Sequence, residues 1–261
     1  MKKPTISILL PITLLLLCNS CTKDKFPCVD ANGTITNEYR TISGYTGVYN
    51  ELAADIYITQ DTEYQFRIEA PANIFPEIKT KISNGMLEVY SEHCINSENN
   101  VKIYIAMPEI NSLELSGSGS IITLNKIISD LITIDISGSG KVIAQDSIIA
   151  NTIELYNSGS GEMQILAAAN YLDTEISGSG EVILAGKGTN MDLEIYGSGE
   201  VHAFEYLAKY CTLDISGSGN MYLNVTDKIE GDVSGSGDIY YMNTPDFNLV
   251  ITGSGELIHV D

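Results

Sequence analysis

The chain has 261 residues, of which 44% are hydrophobic, so it is long enough to bury a substantial core. It carries 34 acidic and 14 basic residues, which gives a formal net charge of -20 at pH 7. Because such a surface repels phosphate groups, the composition argues against nucleic-acid binding and favours cations, basic partners or simple solubility.

The first twenty residues have the layout of a secretory signal peptide. Two lysines open the chain, and the apolar stretch that follows, residues 6–18, is too short for a membrane span. Ser20, a small residue directly before Cys21, resembles the lipobox of bacterial lipoproteins, in which the cysteine becomes the lipidated N-terminus. We therefore predict a lipoprotein signal peptide over residues 1–20 and attachment to the membrane through lipidated Cys21. The alternative is a plain signal peptide cut nearby, which leaves Cys21 as an ordinary thiol.

Residues 21–38 are polar and rich in turn-forming residues, so they are predicted to form a tether. Three further cysteines follow Cys21, namely Cys28, Cys94 and Cys211. A Cys28–Cys94 bridge is permitted in an oxidising compartment, but the sequence alone does not establish it. The cysteines and histidines have no metal-ligand spacing.

Residues 39–112 are predicted to be rich in β-strands. Polar and apolar residues alternate over residues 55–59, 64–69 and 101–105, and an Asn-Gly turn leads into a further strand at residues 86–90. A repetitive sheet needs its first open edge covered, and this segment is the natural cap.

The tripeptide Gly-Ser-Gly dominates the rest of the chain. It occurs eight times at steps of 21, 21, 19, 19, 20, 18 and 18 residues, and its first glycines are Gly117, Gly138, Gly159, Gly178, Gly197, Gly217, Gly235 and Gly253. Units of this length are typical of a solenoid. We therefore predict an all-β fold, a single-stranded parallel β-helix (β-solenoid) over residues 113–261 with an N-terminal β-rich capping region. Residues 39–261 are expected to form one continuous domain.

The parity of the repeat predicts which side chains face inward. The residue two places before the first glycine is aliphatic in seven of the eight copies, and the residue four places after it is always apolar. These positions and both glycines share one parity, so they are predicted to point inward and the serines outward. Asn157 is the polar exception among the inward residues and indicates a looser coil. The alternative places Gly-Ser-Gly at the hairpin tips of an antiparallel barrel, but apolar residues of one parity on both flanks favour the solenoid.

An acidic column is the first candidate site. The residue three places before the first glycine is acidic in six copies: Glu114, Asp135, Glu175, Glu194, Asp214 and Asp232. Carboxylates stacked in register repel one another unless cations bridge them, and oxygen ligands suit Ca²⁺. The column is therefore a candidate Ca²⁺ strip, and no other cofactor is expected. The alternative is a solvated face that keeps the protein soluble.

The outward serines are the second candidate site, a polar surface for a glycan or a partner protein. The serines considered are Ser116, Ser118, Ser137, Ser139, Ser177, Ser179, Ser216 and Ser218. The alternative is that a small outward residue simply suits the tight stretch between the glycines.

Four segments in a fixed order carry a resemblance to a known family. They are IEAPANIFP (residues 68–76), SNGMLEV (83–89), VKIYIAMP (101–108) and the first SGSG (116–119). Together they resemble the putative auto-transporter adhesin family with a head GIN domain, which is common in Bacteroidetes envelopes, and the resemblance covers about residues 39 to 261. It implies an all-β solenoid, export and an adhesive or envelope role, but no catalytic or binding residue.

We therefore predict a non-catalytic cell-envelope lipoprotein, an adhesin that presents a rigid acidic solenoid to a protein or glycan. Its expected location is the outer membrane, and whether it faces the periplasm or the cell surface is left open. His93, His202 and His259 lie in no nucleophile or metal motif, so an enzyme is not expected. Two alternatives stay open, a structural scaffold of the outer membrane without a specific ligand and a carbohydrate-active enzyme on a β-helix.

Overall fold

The structure, a computed structural model, describes residues 28–96 and 101–261. The predicted signal peptide and residues 21–27 of the predicted tether, including Cys21, lie outside the described residues. Within those two ranges the chain forms β-strands and no α-helix, as predicted. The same ranges accordingly contain no helix with the length and apolar character needed to cross a membrane.

Nine strands precede the repeats. Their bounds are β1 (Val29–Asp30), β2 (Ile35–Tyr39), β3 (Gly47–Asn50), β4 (Asp55–Gln60), β5 (Gln65–Pro71), β6 (Lys79–Ser83), β7 (Met86–Tyr90), β8 (Ile95–Asn96) and β9 (Lys102–Met107).

Thirteen strands form the repeats. Their bounds are β10 (Ser112–Leu115), β11 (Ser120–Thr123), β12 (Ile127–Ile128), β13 (Leu131–Ile136), β14 (Lys141–Ala144), β15 (Ile148–Asn157), β16 (Glu162–Ile176), β17 (Glu181–Ile195), β18 (Glu200–Ile215), β19 (Met221–Val233), β20 (Ile239–Met242), β21 (Asp246–Ile251) and β22 (Leu257–His259).

Parallel pairing stacks these strands into three ladders. The first ladder runs β7-β3-β10-β13-β15-β16-β17-β18-β19-β21. The second runs β9-β4-β11-β14-β16-β17-β18-β19-β20-β22. The third begins at β12 and continues through β15 to β19. Strands β16 to β19 are long enough to pass through all three ladders. Each of these strands ends at a Gly-Ser-Gly bend, which joins the first ladder of one coil to the second ladder of the next. The predicted parallel β-solenoid is confirmed.

The predicted inward positions form the core. Ile136, Ile176, Ile195 and Ile215, each two residues before a bend, are fully buried, and so are the apolar residues four places after the first glycines up to β20. Burial of these side chains at every coil is the main favourable contribution to folding.

Asn157 is a definite part of this core rather than a sign of a loose coil. Its side chain is 1% exposed, and its Nδ2 donates a hydrogen bond of 2.8 Å to the carbonyl oxygen of Gly161 on the far side of the bend. Asn50 occupies the same position three coils earlier in the first ladder's register, and its Nδ2 donates in the same way to the carbonyl oxygen of Ala54 at 3.0 Å. An inward asparagine therefore ties the two sides of a bend together.

The glycines at the bends are required by the close approach of successive coils. A Cβ atom on Gly178 would lie 2.0 Å from the carbonyl oxygen of Gly159, and one on Gly235 would lie 1.7 Å from that of Gly217. These contacts are with backbone atoms, which cannot move aside as a flexible side chain can. The close approach of backbones at the glycines is as the sequence predicts. The first glycine of each bend from Gly117 to Gly235 is half-buried, however, and faces the preceding coil rather than the core, whereas the second glycine is buried from Gly119 to Gly237.

The N-terminal part enters the solenoid out of chain order. Strand β3 lies between β7 and β10 in the first ladder, and β4 lies between β9 and β11 in the second. The earliest coil in the sequence is thus the second coil in space. Asn111, just before β10, donates its backbone N–H to the carbonyl oxygen of Thr46, just before β3, and this bond extends the parallel pairing of the two strands.

Antiparallel strands cover the first coil, as expected for a cap. Strand β5 pairs antiparallel with β9, β2 pairs with β5, and β6 pairs with β7. Lys79 and Lys81 lie on the edge strand β6, and lysines on an edge discourage pairing with another sheet. The Cys28–Cys94 bridge, which the sequence permits but does not establish, is present beside the parallel pairing of β1 with β8, whereas Cys211 is a buried free thiol.

Replacing Gly178 with alanine tests the stacking constraint. The new Cβ would meet backbone oxygens of Gly159 and Ser158 at 2.0 and 2.7 Å, so we expect a loss of about 3 kcal/mol in the free energy of unfolding. Urea denaturation of the described domain measures it. Ser179→Ala, an exposed change in the same bend, is the control and should change stability by less than about 0.5 kcal/mol. Equal stabilities of the two variants would contradict the constraint.

Candidate functional site

The bends present a continuous row of side chains that carry hydroxyl groups, all of them small except Tyr196, here called the serine ribbon. It consists of the residues directly before and after the first glycine of each bend. These are Ser116, Ser118, Ser137, Ser139, Ser158, Ser160, Ser177, Ser179, Tyr196, Ser198, Ser216, Ser218, Ser234, Ser236, Thr252 and Ser254. Seven of the eight serines considered as a binding surface are exposed, and Ser116 is half-buried because the Tyr49 hydroxyl donates to its Oγ at 2.9 Å.

The backbone of the ribbon is already satisfied by the stacking of coils. The N–H groups of Ser160 and Ser179 donate to the carbonyl oxygens of Gly138 and Gly159 at 3.1 and 3.0 Å, and the pattern recurs along the ribbon. Apart from Ser116, Tyr196, Ser236 and Ser254, whose hydroxyls hydrogen-bond to other side chains, the hydroxyl groups of the ribbon remain available to a partner, and each can both donate and accept. They repeat at the coil spacing of roughly 4.8 Å.

The predicted acidic column lies on the first ladder beside the ribbon. Glu114 pairs in register with Asp135, and Glu175, Glu194, Asp214 and Asp232 follow one another in register. Tyr156 separates the two groups. Burial and the neighbouring Asp135 carboxylate raise the pKa of Glu114, and burial raises the pKa of Asp135.

A second acidic column, not predicted from the sequence, lies on the same ladder two residues earlier in four of the coils. It contains Glu154, Asp173 and Asp192 in register, with Thr212 separating them from Glu230. Burial, followed by the charges of Asp192 and other neighbours, raises the pKa of Asp173. These residues share the outward parity of the first column, so extending the parity two positions towards the N-terminus of each repeat finds them.

The carboxylates form rows rather than a cage. Among residues 28–96 and 101–261, no three His, Cys, Asp or Glu side chains are grouped so that they could hold a metal ion. Ca²⁺ binding by the first acidic column stays a prediction.

The other flank of the ribbon, on the second ladder, combines acids with aromatic rings. The His202 Nε2 lies 3.0 Å from a Glu200 carboxylate oxygen and 3.3 Å from one of Glu181. Its ring stacks on Tyr222 at 4.4 Å, and Tyr222 stacks on Tyr240 at 4.8 Å. This row was not predicted, because the pairing of aromatic residues on successive coils depends on register.

A cleft of about 510 Å³ lies at the N-terminal end of the ribbon. Ser116, Ser118 and Ser139 form one side, and the segment around His93 and the Cys28–Cys94 disulfide lies opposite. The His93 Nδ1 lies 2.8 Å from a Glu77 carboxylate oxygen, which fixes the ring at the cleft wall. The ribbon thus ends in a concave site that the repeat alone could not predict.

The chain has recognisable relatives. Residues 44–245 match the family described as "Putative auto-transporter adhesin, head GIN domain". The chain has no significant match among curated proteins.

Solved structures share the fold over nearly the whole chain. A putative adhesin from Parabacteroides merdae ATCC 43184 is 21% identical, with a TM-score of 0.82 over 89% of this chain and 99% of that one. A putative adhesin from Parabacteroides distasonis ATCC 8503 is 19% identical, with a TM-score of 0.83 over 90% and 100%. A putative lipid binding protein from the same organism is 25% identical, with a TM-score of 0.83 over 90% and 100%.

The acidic columns predict an unusual dependence of stability on pH. A carboxyl group whose native pKa is raised binds a proton in the folded state before it does so in the unfolded state. As the pH falls from 7 towards the ordinary values of 3.8 and 4.5, protonation of Asp173, Glu114 and Asp135 should therefore stabilise the fold. The hydrogen bond from Lys141 lowers the pKa of Glu162. Protonation of this carboxyl group therefore destabilises the fold, but only as the pH falls below the ordinary pKa of 4.5.

Denaturation midpoints measured across this pH range test the effect. Asp173→Asn should raise stability at pH 7 and flatten the pH profile. Asp146→Asn is the control, because hydrogen bonds from Ser147 lower the pKa of that carboxyl instead of raising it. A wild-type stability that falls steadily from pH 7 to 5 would refute the expectation.

Proposed function

The chain belongs to the putative auto-transporter adhesin family with a head GIN domain, and from this membership we propose that it is a non-catalytic adhesin whose serine ribbon binds an extended, neutral glycan. The observation that carries the proposal is the row of exposed hydroxyl groups that ends in the cleft beside Ser139. Sugar hydroxyls and serine hydroxyls can exchange hydrogen bonds in both directions.

Charge supports the choice of a neutral glycan. Acidic residues flank the ribbon on both ladders, with Asp214 on one side and Glu181 and Glu200 on the other. Carboxylates accept hydrogen bonds from sugar hydroxyls but repel sulfated or uronic-acid chains. A repeating polymer also suits a repeating surface, because many weak contacts at a fixed spacing add up along the chain.

Glycan binding can be tested with a glycan array and two ribbon variants. Ser139→Arg places a bulky side chain at the cleft, and Ser179→Arg places one in the middle of the ribbon. Each should weaken retention of neutral glycans by about tenfold or more, since one blocked position interrupts an extended ligand. Thr244→Arg, in the exposed turn after β20, is the control and should bind like the wild type. If the wild type retains no glycan, the alternative of a scaffold without a specific ligand replaces this proposal.

We propose further that the protein is exported and held at the outer membrane by lipid on Cys21. Two observations support this proposal. The segment before Cys21 resembles a lipoprotein signal peptide, and the family is named for adhesins, which are typically exported proteins. This residue lies outside the described part of the chain, and so the proposal depends on the sequence.

A Cys21→Ser variant tests the anchor. The wild type should sediment with membranes, and the variant should move to the soluble fraction while keeping its melting temperature, because the solenoid is unchanged. Protease treatment of intact cells then distinguishes the cell surface from the periplasm. Equal membrane fractions of the two proteins would argue against lipidation at this cysteine.

We propose lipid binding as a second function. One structural neighbour carries the name putative lipid binding protein, and this chain has an apolar groove of about 680 Å³ on the third ladder. The groove lies on a different side of the solenoid from the serine ribbon, so the two functions do not compete for residues.

A further inference from the structure

The groove on the third ladder, called here the third-ladder groove, runs across four successive coils. Its outward column is Ile149, Ala168, Lys187 and Leu207, which pair in register from β15 to β18. Ile149 and Leu207 are 38% and 45% exposed, so large apolar side chains stand at the two ends. Four strands at roughly 4.8 Å spacing make the groove about 14 Å long.

Small residues give the groove its concave shape. Its floor contains Ala150, Ala169, Gly188 and Ala208, and Ala168 lies between the two large end residues. Gly188 cannot carry a side chain, since its Cβ would lie 2.1 Å from the hydroxyl of the buried Tyr206. An apolar groove of this kind fits one alkyl chain better than the varied side chains of a protein surface.

The charge at the groove is opposite to that of the whole protein. Lys187 and Lys209 line it, and among the described residues neither has a carboxylate oxygen within 4 Å. Lys141 and Lys228, by contrast, each contact a glutamate, Glu162 and Glu230. Two unpaired lysines on neighbouring coils of a chain with a net charge of -20 favour an anionic group at this position.

We propose that the third-ladder groove binds the single acyl chain of an anionic amphiphile, such as a long-chain fatty acid, with its carboxylate held by Lys187 and Lys209. The inference rests on the second proposed function and names its site and its ligand class. The alkyl chain lies along the alanine floor between Ile149 and Leu207, and the stems of the two lysines cover it.

Binding of a fluorescent polyene fatty acid to the purified domain tests the inference, with the matching fatty alcohol as a neutral probe. The wild type should bind the acid more tightly than the alcohol, and added salt should reduce this preference. Lys187→Gln combined with Lys209→Gln should weaken acid binding by about fivefold and leave alcohol binding unchanged. Ala168→Trp should abolish binding of both probes by filling the groove.

Matched variants control for charge and bulk. Lys141→Gln removes a lysine on the second ladder, and Ala185→Trp adds a ring to a half-buried alanine that does not line the groove. Both should bind like the wild type, and melting temperatures should show that every variant folds.

Three other outcomes would overturn the inference in distinguishable ways. If neither probe binds, lipid binding itself fails. If both probes bind equally and the lysine variant has no effect, lipid binding stands but the anionic ligand is wrong. If the protein binds only anionic phospholipid vesicles and no monomeric probe, a membrane surface rather than a single acyl chain is the partner.

Discussion

The contact of backbone on backbone at the Gly-Ser-Gly bends is the constraint on which the rest of the structure depends. In every bend from Gly138 to Gly253, a Cβ on the first glycine would lie only 1.7 to 2.3 Å from a carbonyl oxygen of the preceding coil. Side chains are excluded there, so the chain can turn sharply and still continue its ladder hydrogen bonds. Because a strand alternates its faces, fixing this corner also fixes which residues of each coil enter the core and which reach solvent.

This constraint explains how much the sequence alone reveals. The glycine spacing predicts the parallel solenoid because the solenoid depends on the repeat period, and the parity of Ile136, Ile176 and Ile195 predicts the outward serines because facing depends on local alternation. The insertion of β3 and β4 between later strands could not be predicted, because the local sequence of a strand does not indicate which coil it pairs with. The hydrogen bond of Asn157 could not be predicted for a similar reason, because its partner, the Gly161 carbonyl, lies beside it only when the bend is folded.

The candidate sites divide in the same way. The serine ribbon and the first acidic column follow the repeat, so they are visible in the sequence. The cleft depends on a disulfide between residues 66 positions apart, and the third-ladder groove depends on Ala169 and Gly188 meeting across coils. The cleft and the groove arise where the copies of the repeat differ from one another. Such irregular sites, unlike the repeating surfaces, can select one particular ligand over others.

The stacking constraint also shapes what each surface can recognise. The ribbon's hydroxyl groups are carried by a backbone that is hydrogen-bonded in every coil, so little conformational entropy is lost when a partner binds. That rigidity favours a partner whose own groups repeat at the coil spacing and penalises one whose groups do not. The groove uses the opposite principle, because an alkyl chain has no polar pattern to match and needs only a channel of suitable width. A single repetitive scaffold can therefore present a surface that selects by spacing on one side and a surface that selects by shape and charge on another, since the three ladders share a core but not an outer face.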